Sequence, residues 1–164
     1  MLGIILLFVG GVLLINGVGG LGLIDSRASA VLNFMTGCLA LLIGVVMLVR
    51  AAAPPDYFPV ACVMLFAFNY LYVAICMWLA LDMRGFGWFC LFIAITTVPC
   101  ALLAFDSPDP RFGVFWLVWG SLWLMYFLAL VRGFDFGRLL PFATIAIGVL
   151  TCWIPGFLIL VQRW

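Results

Sequence analysis

Three ionisable residue types are missing from this sequence, which contains no His, no Lys and no Glu. Its charged side chains are seven Arg and six Asp among 164 residues, and its six Cys include no C-x-x-C pair. Without His, and with Cys scattered singly, neither a metal site nor a Ser/His, paired-carboxylate or Cys/His catalytic constellation can be assembled. We therefore predict a protein that is not an enzyme and that has no metal and no cofactor. A net charge of +1 without a basic stripe also argues against nucleic acid as a partner.

The charged residues are also absent from long stretches of the chain. They leave six apolar runs of 20 to 24 residues, at positions 2–24, 29–49, 58–81, 86–105, 112–131 and 139–162. About 20 apolar residues in a helix span the roughly 30 Å hydrocarbon core of a bilayer, and these runs lack the alternation of membrane β-strands. The sequence predicts an all-α integral membrane protein with six transmembrane helices, forming one domain over 1–164.

The loops between the runs alternate in character. Those after helices one, three and five contain an Asp followed closely by an Arg, whereas the other two are rich in Pro. This alternation predicts three helical hairpins, each a helix, an Asp–Arg turn and a helix, in which the Asp caps the following helix. The alternative is that short membrane loops simply accumulate Asp and Arg. Arg residues number four on the Asp–Arg side and three on the other, which favours external termini.

The apolar runs contain no ionisable Asp or Arg, although proton- and ion-coupled transporters usually need such groups inside the membrane. This absence indicates passive movement of an uncharged solute. In three of the runs, a set of residues recurs at helical spacing, and each set predicts one helix face. The set in helix one is apolar until it reaches an amide, and those in helices three and five contain aromatic residues. The sets are Leu2, Leu6, Val9, Leu13, Asn16 and Gly20 in helix one, Leu65, Phe68, Tyr72 and Cys76 in helix three, and Phe112, Trp116, Trp119, Trp123 and Tyr126 in helix five.

These aromatic residues could line a pore, but two different roles compete with that one. Trp and Tyr collect at headgroup level, which suits Trp88 and Trp164 but not Trp119 or Trp123, which fall near mid-membrane. Packing within the bundle or against lipid is the second competing role. A Trp N–H at mid-membrane needs a hydrogen-bond partner, which either a permeant or a neighbouring side chain would supply. Small residues at seven-residue spacing, Gly3, Gly10 and Gly17 among them, predict close helix packing.

Short motifs in each of the six runs resemble the AmiS/UreI family of acid-activated urea channels and short-chain amide transporters. In order they are MLGIILLFVG at 1–10 with Asn16-Gly17, AVLNF at 30–34, FNYLY at 68–72, LDMR at 81–84 with Trp88, TVP at 97–99, WLVWGSLW at 116–123 and TCWIPG at 151–156. The resemblance covers essentially the whole chain.

The resemblance implies a hexamer with one pore per protomer, external (periplasmic) termini and a place in the bacterial inner membrane. It implies aromatic constrictions at Phe68, Tyr72, Trp119 and Trp123, a helix-one lining of Leu2, Leu6, Val9, Leu13 and Asn16, and a helix-five face extended by Trp116 and Phe112. The chain departs from the family at Ile147, where urea channels have an acidic residue. It also has a very short loop 50–57 and no His for acid gating.

We therefore predict a passive channel for small neutral amides (urea, short-chain aliphatic amides or both) without histidine-based acid gating. The alternatives are a proton-coupled small-solute transporter and a non-transporting membrane assembly subunit. The expected partners are the permeant, membrane lipid and further copies of the chain.

Overall fold

The structure is a computed structural model that describes every residue from Met1 to Trp164. Six of its helical segments are long and apolar enough to cross a membrane. The helices are α1 (Leu2–Gly20), α2 (Ser26–Arg50), α3 (Pro54–Leu79), α4 (Arg84–Phe105), α5 (Arg111–Arg132), α6 (Leu139–Ile147) and α7 (Ile154–Leu160). A π-helical turn, Gly148–Trp153, joins α6 to α7, and the three together form the sixth span. The predicted six-helix membrane fold is confirmed.

The helix ends differ from the predicted runs by up to four residues. Helix α1 ends at Gly20, and α3 begins at Pro54 because proline is favoured in the first turn, where its missing N–H has no partner to lose. One of the predicted Asp caps is present, since Asp25 is the N-cap of α2 and accepts from the backbone N–H of Arg27. Asp82 accepts from the backbone N–H of Arg84 but lies one residue before Met83, the N-cap of α4. Asp135 instead accepts from Gly137 N, ahead of α6, so it orders the turn rather than the helix.

The closest packing between helices does not follow the predicted hairpins. Helices joined by Asp–Arg turns pack loosely, whereas the tightest pairs are α2 with α3, α4 with α5, and α1 with the sixth span. Two of these pairs are joined by the short or Pro-containing loops, and the third brings the two ends of the chain together. The bundle therefore still consists of three antiparallel pairs, but the pairing is displaced by one helix along the chain.

Glycine explains why these pairs are so close. A Cβ added at Gly10 would lie 2.6 Å from the backbone nitrogen of Trp153, and one at Gly37 would lie 2.9 Å from that of Leu71. Gly3 and Gly17 meet the sixth span in the same way, so the predicted seven-residue spacing marks one packing line of α1. The buried core lies between these pairs, around Val9, Phe66 and Trp119.

Candidate solute pathway

Two cavities enter the bundle from opposite ends. The turn-side cavity, of about 300 Å³, opens near the Asp25 and Asp82 turns and includes Ser26, Ser29 and Met83 in its wall. The terminus-side cavity, of about 290 Å³, opens beside Met1 and includes Leu2, Phe58 and Phe112. Water in the liquid occupies about 30 Å³ per molecule, so each cavity has room for a solute of a few heavy atoms with some of its water.

An aromatic partition separates the two cavities. Phe66 and Trp119 border both of them. Their rings meet edge to face, with centroids 5.5 Å apart, and Trp123 and Trp116 approach the Phe66 ring from the two sides at 5.6 and 6.1 Å. Edge-to-face contacts at these distances favour fixed ring positions. These rings therefore lie where the two cavities approach each other.

Hydrogen bonds to other helices fix the aromatic side chains of α5. Trp119 Nε1 donates to Thr151 Oγ1 at 2.8 Å, in the π-helical turn of the sixth span. Trp123 Nε1 donates to Asn69 Oδ1 of α3 at 3.0 Å, and the Tyr126 hydroxyl lies 3.0 Å from Thr144 Oγ1 of α6. Neighbouring side chains, rather than the permeant, thus supply the mid-membrane partners that the sequence requires.

The π-helical turn places Thr151 against Trp119. The Thr151 hydroxyl accepts from the indole and donates its own proton to the Ile147 carbonyl at 2.6 Å, so both of its roles are used. One wide turn shifts the helix face by a fraction of a residue, and such turns often lie at functional sites. Here the turn borders the partition.

Two asparagines join α1 to α2 beside the turn-side cavity. Asn16 and Asn33 exchange hydrogen bonds between their carboxamides, at 3.0 and 2.6 Å, and Asn33 Nδ2 also donates to the Ser29 carbonyl at 2.9 Å. Asn16 lines the cavity, whereas Asn33 is completely buried. This pair leaves the cavity wall polar but uncharged.

No Asp or Arg lines either cavity. The ion pairs lie at the helix ends, where Arg84 meets Asp82 at 2.7 Å and Arg111 meets Asp109 at 2.7 Å. The hydrogen bond from Arg84 keeps the pKa of the Asp82 carboxyl below its usual range, and Arg111, then Trp164, do the same for Asp109. An ion entering such an uncharged cavity would lose hydration without compensation.

The structure brings nine of the predicted pathway residues to the cavities. Leu2, Leu6, Phe112 and Trp116 line the terminus-side cavity, and Val9, Leu13, Asn16 and Trp123 line the turn-side cavity, while Trp119 borders both.

Three predicted residues lie elsewhere. Phe68 and Tyr72 are 51% and 37% exposed on the outside of the chain, and Tyr72 packs against Phe86 and Phe89. The inward face of α3 is instead the one that contains Phe66 and Asn69, so the predicted stripe must be corrected by about 100°, the rotation of one helical residue. Ile147 packs against the core and lines neither cavity, although its carbonyl holds Thr151.

Several cavity residues were not in the predicted pathway set, chiefly because they lie on that neighbouring face of α3. That face contains Phe66, Tyr70 and Val73, which lie next to the residues of the predicted stripe. Because both faces of α3 are apolar, hydrophobic periodicity does not indicate which of the two faces inward. The usable signal was Asn69, an amide in the middle of a transmembrane helix, which belongs inside the bundle. Thr151 had a similar signal in its hydroxyl.

Comparison with known proteins places these features in a family. The model of the AmiS/UreI family of transporters matches residues 1–163. An acid-activated urea channel of Helicobacter pylori is 35% identical, over 100% of both chains. A putative transporter protein named AmiS2 from Rhodococcus erythropolis is 40% identical, over 94% of this chain and 77% of its own length. The cryo-EM structure of the H. pylori urea channel in a closed state superposes with a TM-score of 0.93 at 37% identity, covering 100% of both chains.

Proposed function

Because this chain belongs to the AmiS/UreI family of membrane transporters, we propose that it is a passive channel for urea, short-chain aliphatic amides or both. The observation behind the proposal is the pair of uncharged cavities that meet at the partition of Phe66 and Trp119. Flat rings suit a flat solute, and a neutral amide exchanges water for a few polar side chains at small cost. Ions and protons find no group there that would stabilise them.

The proposal extends to pathway residues and assembly. The proposed pathway comprises the nine cavity residues predicted from the sequence, together with Phe66, Asn69 and Tyr70. A hexamer with one pathway per protomer, in a bacterial inner membrane with periplasmic termini, is the arrangement we propose on family grounds. The broad apolar exterior, which includes Phe68 and Tyr72, would then face lipid or neighbouring protomers.

Permeation is proposed to be independent of pH between about pH 5 and pH 8, the range in which His titrates. The chain has no His, and no Asp lines the cavities. The pKa values of Asp82 and Asp109 are lowered by Arg84 and Arg111, so both carboxylates stay ionised over this range. Since their folded-state pKa values are lowered, the stability they add is present above the unfolded value of about 3.9 and is lost only as the pH falls through the folded value.

Stopped-flow light scattering on proteoliposomes tests the proposal directly. Urea and acetamide gradients are applied at about pH 7.5 and about pH 5.5, on either side of the histidine pKa. We expect fast, poorly saturating flux of at least one solute at both pH values, and Trp123→Ala to raise the acetamide flux relative to the urea flux because it widens the partition. Leu124→Ala, which shortens an exposed side chain of the same helix, is the matched control.

Each alternative gives a different result. Uptake against a gradient would indicate a coupled transporter, and a steep rise in urea flux from about pH 7.5 to about pH 5.5, across the range in which His titrates, would contradict the ungated channel. Folded protein without flux above that of empty liposomes would leave the chain as an assembly subunit.

A further inference from the structure

Asn69 is an amide that borders the turn-side cavity beside the aromatic partition and has an unpaired NH₂ group. It lies in α3, is 6% exposed, and borders the turn-side cavity together with Trp123 and Phe66. Its Oδ1 accepts the hydrogen bond from Trp123 Nε1 at 3.0 Å. The two side chains therefore form one unit across the α3–α5 contact.

The chemistry of the indole determines which end of the Asn69 amide faces the cavity. An indole N–H can only donate, so the Asn69 oxygen must point toward Trp123 and its NH₂ group must point away from it. Asn69 Nδ2 makes no hydrogen bond within the chain. Thr36 Oγ1 is the only side-chain N or O atom that is both fully buried and unpaired, so the unpaired Asn69 Nδ2 is not fully buried. The NH₂ group of Asn69 therefore reaches the open space of the turn-side cavity.

The polar groups of Trp119 and Tyr126 near the partition are already occupied. Trp119 Nε1 is bonded to Thr151, and the Tyr126 hydroxyl lies against Thr144. Asn16 lines the same cavity and is bonded to Asn33 through its oxygen and one of its two N–H groups, but it does not border the rings of the partition.

Tyr70 adds another free donor to the wall of the turn-side cavity. It is 2% exposed and lines the same cavity, and its hydroxyl makes no hydrogen bond within the chain. The wall of the turn-side cavity thus contains donors from both Asn69 and Tyr70.

We propose that Asn69 is a specificity-determining residue of this channel and selects solutes with a strong carbonyl acceptor. When a solute carbonyl loses its water at the partition, it accepts a hydrogen bond from Asn69 Nδ2 instead. This bond lowers the free energy of desolvation for passage between the rings. Trp123 is a positioning residue in this selection because its N–H holds the Asn69 oxygen away from the cavity. Amides and ureas pass in preference to flat neutral molecules whose acceptor is weak. The inference rests on the proposed channel function.

Urea and thiourea form the test pair, because they share a planar shape but sulfur is a much weaker acceptor than a carbonyl oxygen. Their permeabilities are measured in proteoliposomes of the wild-type chain, Asn69→Leu, Asn69→Ser and Trp123→Phe. Loss of one neutral hydrogen bond predicts that Asn69→Leu lowers the urea-to-thiourea permeability ratio roughly fivefold. Asn69→Ser, which retains a hydroxyl, falls between wild type and Asn69→Leu. Trp123→Phe lowers the ratio by a smaller factor, since the freed amide can turn its oxygen to the cavity.

Phe68→Leu is the control, since Phe68 precedes Asn69 in α3 but faces the outside. Each variant is first shown to be folded by its circular dichroism and elution volume. If Asn69→Leu has the same urea-to-thiourea permeability ratio as wild type, the inference is overturned. This includes the case in which both permeabilities fall by the same factor, and Asn69 would then only support Trp123. Either result leaves the channel function intact, whereas wild-type protein without flux of either solute would overturn both proposals.

Discussion

The hydrogen bond between Trp119 and Thr151 allows a direct test of how the partition is held. Thr151→Val keeps the shape of the side chain but leaves the Trp119 N–H without an acceptor, and both residues are less than one-tenth exposed. Hydrogen bonds between transmembrane helices average about 0.6 kcal/mol and reach about 1.7 kcal/mol in double-mutant cycles. The 2.8 Å separation is that of a well-formed N–H···O hydrogen bond, so we expect its contribution to exceed the average.

A cycle of Thr151→Val, Trp119→Phe and the double variant measures this coupling. The free energy of unfolding is obtained by reversible denaturation in mixed micelles, and we expect a coupling of about 1 kcal/mol. Urea permeability should fall about threefold to fivefold in Thr151→Val. Without the hydrogen bond to Thr151, the Trp119 indole can adopt other positions that narrow the gap between the rings of the partition. Thr96→Val serves as the control, since the Thr96 hydroxyl donates to the Phe92 carbonyl at 2.8 Å in the same way but lines neither cavity.

A coupling energy of zero would refute this reasoning. It would mean that ring packing alone positions Trp119 and that the π-helical turn has no part in holding the partition. An equal fall in flux in Thr96→Val would refute it as well, because that variant removes a hydroxyl that lines neither cavity.

Two further predictions concern the inward face of α3 and the α1 packing line. Phe66→Leu should change urea flux and the urea-to-acetamide ratio, whereas Phe68→Leu should change neither, and equal effects in the same liposome assay would contradict a pathway on the Phe66 face. Gly10→Ala should lower the thermal unfolding temperature in detergent, because its Cβ would lie 2.6 Å from the backbone of Trp153, while Gly11→Ala, with nothing within 4 Å, should leave it unchanged.

The membrane fold follows from the sequence because charge placement alone determines it. Asp and Arg cannot lie in hydrocarbon without compensation, so their confinement to the loops marks all six spans. The α1 packing line was also predictable, since Gly3, Gly10 and Gly17 repeat with the period of one helix face and each contacts the sixth span. Which helices form the closest pairs was not predictable, because apolar helices in lipid have no hydrophobic preference for one neighbour over another.

The error in α3 has the same physical origin. A helix that is apolar on all sides gives no periodic signal for its inward face, so the stripe containing Phe68 and the one containing Phe66 were equally consistent with the sequence. Polar side chains break this symmetry, and Asn69 identifies the correct face because an amide in lipid would lack partners. The sequence signal for the π-helical turn was Pro155, which lacks an N–H and crowds the carbonyl of Thr151 four residues earlier.

The arrangement of hydrogen bonds fits the proposed passage of a neutral solute between rings that the protein holds in place. The N–H of Trp119 and the hydroxyl of Tyr126 are each paired with a threonine of the sixth span, so these side chains offer little binding energy to a solute and would not trap it. Conduction requires a site that is favourable enough to enter and weak enough to leave. At the partition, the polar groups of Trp119 and Tyr126 are bonded within the protein, so a solute binds weakly enough to leave. The free NH₂ group of Asn69 would make entry favourable for a neutral solute with a carbonyl.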